Sequence, residues 1–204
     1  MAVSPAKENI LKKIRQALSN PAPLPFPNSE GNNSIFFAAP DDLEVVFAEE
    51  FVQLQGKFAF CTDEKDMLQQ IQKLITEKEW TKIYCNEDKW NAAFSNTINL
   101  SSCDASITGC EFLVARTGTI VMSAAQQSGR TASVYAPIHI CIAYTNQLLY
   151  DIKDALQMLK EKYAGHIPSL ITFASGPSRT ADIEKTLVTG VHGPKEVYCF
   201  LVDV

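Results

Sequence analysis

Positive charge is scarce in this chain. Eighteen lysines and arginines stand against 23 aspartates and glutamates, for a net charge of −5 over 204 residues, and the pI is near 5.2. Lys and Arg never gather into a dense patch, which excludes non-specific binding of nucleic acid or an anionic membrane as the main role. Long apolar runs are missing too. None approaches the roughly 18 residues that span a bilayer. Residues 1–20 read as a charged amphipathic helix and lack an apolar signal core, so the cytoplasm is the expected location. There is no C-x-x-C. The closest cysteines, Cys103 and Cys110, have six residues between them, and the three histidines, His139, His166 and His192, share no ligand spacing. A structural zinc site or an iron–sulfur cluster carried by this chain alone is therefore not expected. The G-x-G-x-x-G and Walker A fingerprints and a nucleophile elbow are also absent.

What is present is the composition of a globular protein: 46% hydrophobic and 20% charged residues, enough for one buried core. Cys61, Cys85, Cys141 and Cys199 lie inside apolar, strand-like segments and read as small buried hydrophobes. Pro5 opens a helix with Ile10, Leu11, Ile14, Ala17 and Leu18 on one face. Pro21, Pro23, Pro25 and Pro27 follow at alternate positions and predict an extended, polyproline-like segment. Residues 1–39 thus form a helix and a proline-rich arm, and residues 40–204 a single α/β domain.

Within that domain, helices are expected after Asp41, after Thr62, over residues 87–94 and over residues 148–163, where Leu149, Ile152, Leu156 and Leu159 mark the apolar face. Strands are expected over residues 57–61, 82–85, 111–115, 120–123, 138–144, 169–174 and 197–202. The Thr117-Gly118-Thr119 corner between two of them predicts a hairpin or a bent strand. The alternation points to an α/β fold with a mostly parallel, buried sheet.

Near the C-terminus, Ser175-Gly176-Pro177-Ser178-Arg179-Thr180 ends one strand, and residues 181–188 read as a short helix closed by Gly190. A helix N-terminus after such a turn is an anion cradle, because its first N–H groups lack partners and the dipole is positive there. Arg179 adds a forked cation suited to a carboxylate or phosphate; the alternative is a capped helix whose Arg179 pairs with Asp182, Glu184 or another acid. Two more polar turns stand out, Arg116 to Thr119 and Ser128-Gly129-Arg130. If all three met at the carboxyl ends of the strands, they would build an anion pocket from Arg116, Thr117, Gly118, Thr119, Arg130, Gly176, Ser178, Arg179 and Thr180. His139 reads either as a satisfied core residue or as a neutral imidazole able to act as acid, base or ligand. His192, in a loop with Gly190 and Gly193 on either side, is the better functional candidate, its alternative being a turn residue bonded to backbone. His166 reads as a helix C-terminal residue facing the dipole. Asp182 completes the set of possible general bases.

These residues carry a resemblance. The run from Gly176 through Arg179, Asp182, Glu184, Gly190 and His192 to Pro194 is similar to the signature of the LUD-domain family, typified by the lactate-utilisation protein C (LutC/YkgG) group. Residues 108–115, Thr117-Gly118-Thr119, Gly129-Arg130 and Pro137-Ile138-His139 resemble further family segments. The likeness is strong over residues 100–204 and one of pattern only over 40–100. It implies a three-layer Rossmann-like fold similar to the ribose-5-phosphate isomerase and CoA-transferase (NagB/RpiA) superfamily. It further implies a bacterial role in oxidising L-lactate to pyruvate beside iron–sulfur oxidoreductase subunits, with the clusters in those partners, no cofactor here, and a small carboxylate or phosphate as ligand. The family usually carries Glu before Thr-Gly-Thr. Arg116 stands there instead and stays protonated, which tilts the expectation from acid–base chemistry towards anion binding. The rival expectations are a stand-alone enzyme acting on a sugar phosphate or acyl-CoA, and a non-catalytic module that senses a small anion.

Overall fold

The computed structural model describes residues 5–19, 39, 42–97, 99–181 and 187–204. The chain divides into two compact units, Met1–Ala38 and Ala39–Val204. Of the first, helix α1 (Pro5–Leu18) is described, with Ile10, Leu11 and Ile14 exposed. The proline segment lies outside the described residues, as do Asp41 and Asp182.

The second unit opens with α2 (Leu43–Gln53), β1 (Lys57–Cys61), α3 (Glu64–Glu77), β2 (Ile83–Cys85) and α4 (Asp88–Phe94). It continues through β3 (Ala105–Thr108), β4 (Phe112–Val114), β5 (Thr119–Ser123), the one-turn α5 (Ala132–Tyr135) and β6 (Ile138–Tyr144). It closes with β7 (Leu148–Leu149), α6 (Ile152–Lys162), β8 (Ile171–Ala174), β9 (Arg179–Ala181), β10 (Leu187–Thr189) and β11 (Glu196–Val202). Five strands form a fully parallel, Rossmann-like sheet in the order β1-β11-β6-β3-β2. A smaller sheet, β7-β4-β5-β8, is mostly antiparallel. The Thr117-Gly118-Thr119 corner joins β4 to β5 as a hairpin.

Period-two alternation divides the core. In β6, Ile138, Ile140 and Ile142 face one side, where they pack with Met67 and Ile71 of α3 and Trp90 and Phe94 of α4. Cys141 and Ala143 face the other side. There, with Val197, Cys199 and Leu201 of β11, they meet Leu113, Ile120 and Met122 of the small sheet and Phe47 and Phe51 of α2. Each such large side chain contributes about 1.5–3 kcal/mol on burial. Behind the small sheet, Phe112, Val114 and Val121 pack on Ala155 and Leu159 of α6. All six cysteines are buried and free.

Several expectations are corrected. The helix expected over residues 181–188 is not formed by the described residues. Arg179–Ala181 and Leu187–Thr189 are antiparallel strands, with Val188 opposite Thr180. Thr180, Val188 and Thr189 are β-branched and favour that pairing. The flanking backbone is fixed as well: Ser178 N–H donates to Pro194 O at 2.9 Å and Gly190 N–H to Ser178 O at 2.9 Å. The helix expected from residue 148 starts at Ile152, because Leu148 and Leu149 pair with Leu113 and Val114 and Asp151 caps the helix through Lys153 N–H at 3.0 Å. Leu156 is consequently off the buried face and 44% exposed. Asp63, not Thr62, caps α3, accepting from Asp66 N–H at 2.7 Å.

Gly118 sets the approach of α2 to the small sheet. Its φ is +53°, and a Cβ there would lie 2.6 Å from the Phe51 backbone nitrogen. Gly129 has φ +68° but open space around it. Gly129→Ala is therefore expected to cost about 1–2 kcal/mol, the left-handed penalty alone. Gly118→Ala should cost roughly 3–4 kcal/mol, because α2 must also shift. Urea denaturation of the two variants checks the difference, and equal losses would contradict the close approach.

Candidate functional site

The apolar seam between the two sheets is not filled at one end. His139 of β6 and Val197 of β11 face Met122 of β5 and Thr172 and Ala174 of β8 across a cavity of about 190 Å³. Its lining is completed by Ser133 and Val134, by Gly176 and Ser178, and by His192, Gly193 and Pro194. An outer cleft of about 460 Å³ adjoins it. The cleft shares Val134, His192 and Gly193 and adds Tyr135, Pro137, Gly190, Val191 and Lys195. The loop carrying His192 is clipped on both sides, by the Ser178 bonds already given and by Lys195 N–H to Pro137 O at 2.7 Å.

His139 occupies the back wall. It is 1% exposed, and its Nε2 lies 2.8 Å from Thr108 Oγ1. Burial lowers its pKa from 6.5 to about 4, so the ring is neutral near neutral pH. Around it the cavity offers the hydroxyls of Ser133, Thr172 and Ser178, an apolar wall of Met122, Ala174 and Val197, and no fixed cation. A cation, Lys195, lies at the rim, in the outer cleft. Such a chamber suits a small, partly apolar ligand with one or two hydrogen-bonding groups.

The three polar turns do not meet. The Thr117-Gly118-Thr119 corner and the Ser175 turn lie together at one end of the small sheet, where Ile120 pairs with Ala174. There Thr119 Oγ1 is 2.7 Å from Thr117 Oγ1 and 2.6 Å from Ser175 Oγ. This hydroxyl chain braces the turn that supplies Gly176 and Ser178 to the cavity, and Gly176 itself passes against the Leu54 carbonyl. Arg130 sits at the opposite end, past the Ser123–Ile171 pair, and donates to Ser169 Oγ. Arg116 forms an ion pair with Asp151, Nε to Oδ2 at 2.7 Å, so its charge is taken up at the start of α6. Arg179 is exposed on β9, next to Thr180, and neither lines the cavity. Of the residues singled out from sequence, the cavity therefore gathers His139, Gly176, Ser178 and His192.

Ser133, Thr172 and Met122 were missed. Thr172 had a legible signal, since it is two residues from Ala174 in one strand and shares its face. Glu111 was missed as well. It is 2% exposed and accepts from Tyr163 OH at 2.6 Å, from Lys162 Nζ at 2.6 Å and from Ser123 Oγ. Burial alone would raise its pKa, but Lys162, Ser123 and Tyr163 outweigh burial and hold it below the usual carboxylate value. The cluster ties the end of α6 to the small sheet behind the cavity. Among the described residues, no group of His, Cys, Asp and Glu side chains could hold a metal ion, and no described helix is long and apolar enough to cross a membrane.

Comparison with known proteins fits this architecture. The LUD domain model matches residues 79–202, and the chain belongs to the LUD-domain family. A relative from Bacillus licheniformis named lactate utilization protein C is 32% identical over 137 residues, covering 64% of this chain and 55% of that protein. Its Bacillus subtilis namesake is 29% identical over 135 residues, covering 64% and 56%. Uncharacterized protein NMB1437 of Neisseria meningitidis is 34% identical over 110 residues, covering 54% and 45%. The chain spans about half the length of the curated relatives it matches. The crystal structure of a DUF162-family protein from Deinococcus radiodurans shares the fold, with a TM-score of 0.61 at 16% identity over 81% of this chain and 99% of that one.

The histidine makes stability depend on pH in a definite sense. Below about pH 6.5 the unfolded chain protonates His139 while the folded chain does not until about 4. Its contribution is thus fully present above 6.5 and is lost as pH falls towards 4, by roughly 3 kcal/mol in total. Wild type should lose about that much stability relative to His139→Gln between pH 7 and pH 4 in urea denaturation. Parallel curves would contradict a buried neutral ring.

Proposed function

We propose that this chain works in bacterial L-lactate utilisation, as the component without an iron–sulfur cluster in a lactate-oxidising assembly. In this reading the cavity between the sheets holds the small carboxylate. The observation that carries it is the chamber itself: small, walled by Met122, Ala174 and Val197, lined with hydroxyls, and backed by a neutral histidine. A short 2-hydroxy acid would place its methyl group on the apolar wall and its C2 oxygen among the hydroxyls and His139. Its carboxylate would point outwards to the rim, where Lys195 provides positive charge. The names of the Bacillus relatives point to the same metabolite. The cysteines here are buried core residues, so cluster chemistry is assigned to partner subunits, with electrons from lactate passing to them. The outer cleft, with exposed Val134, Tyr135 and Val191, is the side open to such a partner.

Deletion of the gene in its native bacterium tests the role. Growth on L-lactate as sole carbon source should fail while growth on glucose is unchanged, and the wild-type gene should restore it. Ala174→Leu, which fills the cavity at an expected cost of about 1–3 kcal/mol, should restore growth at least about tenfold less well at equal protein level. The tagged wild-type protein from lactate-grown cells should carry iron–sulfur subunits with it. Normal growth of the deletion strain on L-lactate would overturn the proposal.

A further inference from the structure

The back wall of the cavity fixes more than its polarity. Thr108 Oγ1 is buried, 2.9 Å from Gly109 O and 2.8 Å from His139 Nε2. A carbonyl oxygen only accepts, a hydroxyl has one proton, and a neutral imidazole carries its proton on one nitrogen or the other. If Thr108 gave its proton to His139, two oxygens would face each other at 2.9 Å with no hydrogen between them. The arrangement that satisfies both contacts has Thr108 donating to Gly109 O and His139 Nε2–H donating to Thr108. Nδ1 is then bare. No described residue donates to it, and it is not a buried polar atom stranded without a partner, as Trp90 Nε1 is. For a ring that forms part of the cavity wall, the remaining partner of Nδ1 is whatever the cavity holds.

We propose that His139 determines specificity in the cavity, by presenting Nδ1 as a hydrogen-bond acceptor that selects a 2-hydroxy carboxylate over the matching 2-oxo carboxylate. A C2 hydroxyl donates to Nδ1. A C2 ketone oxygen sets its lone pairs against that nitrogen and leaves both unsatisfied, a mismatch of the kind that gives strong discrimination. The two ligands are alike at the carboxylate and the methyl group, so the difference falls on this one contact. With a pKa of about 4, the ring holds the hydroxyl in place and is too weak a base to strip its proton near neutral pH. His139 is in this sense a positioning residue. The selectivity rests on the carboxylate reading above; the tautomer does not.

The test uses the full chain labelled with ¹⁵N at histidine. With three histidines in the chain, His166→Gln and His192→Gln assign the spectrum. Long-range proton–nitrogen correlation at neutral pH, before any ligand is added, should show His139 as the Nε2–H tautomer. L-lactate should then shift the Nδ1 resonance and bind at least about tenfold more tightly than pyruvate. His139→Gln retains a donor for Thr108 and should reduce that ratio to about twofold or less while lactate still binds. An Nδ1–H tautomer, an imidazolium, or pyruvate binding as tightly as lactate would overturn the proposal. If the tautomer is as stated and neither acid binds, the selectivity falls together with the lactate reading, and the separate tautomer measurement tells the two failures apart.

Discussion

The rest of the second unit hangs on the apolar seam between the two sheets. Cys141 and Ala143 of β6 and Val197, Cys199 and Leu201 of β11 press against Leu113, Ile120 and Met122, with α2 closing one side through Phe47 and Phe51. On the face turned to the second sheet, Cys141 lies opposite Cys199 and Ala143 opposite Leu201, pairs that each include a small residue. That lets the second sheet come close without voids. At position 139 the same face carries a histidine instead of an apolar residue, and the packing opens into a cavity. The site is therefore the place where the seam runs out, not a pocket added to the surface.

The charged groups hold this sandwich from behind and leave the chamber almost uncharged. Glu111, Lys162, Tyr163 and Ser123 tie α6 to the small sheet, and Arg116 with Asp151 fixes the other end of that helix. Glu111 is the buried member, so removing its partners leaves a buried carboxylate unsatisfied. Arg116 thus has a structural partner in Asp151. What remains at the cavity is imidazole, hydroxyl and hydrocarbon, a set that reads hydrogen-bond direction better than it reads charge.

Four of the five strands of the parallel sheet were legible as apolar runs with a clear start and stop, such as residues 138–144 and 197–202; β3, Ala-Ser-Ile-Thr at 105–108, was not expected, because half of its residues are polar. The second sheet was less so. β7 is two residues long and takes its strand form from pairing with β4, and β9 and β10 exist through each other; neither pairing is encoded locally. Residues 181–188 contain acids after a turn and Gly190 after the run, which mimics a capped helix, while the β-branched residues that decide against it are scattered. For the site, His139 and His192 could be named, and the turn that supplies Ser178 stood out as punctuation. The partners of those residues could not be named. Whether Arg116, Arg130 and Ser178 share a pocket depends on which end of a sheet each turn occupies, and that follows from strand order, a long-range property.

A ligand seated at the open end of the seam would change the surroundings of the residues that line it. Amide chemical-shift mapping of the ¹⁵N-labelled protein on addition of L-lactate tests it most directly. Shifts confined to Ser133, His139, Thr172, Ser178 and Gly193 and their immediate neighbours are expected. Shifts centred instead on Arg116 and Thr117, or on Arg130 at the far end of the small sheet, would contradict it.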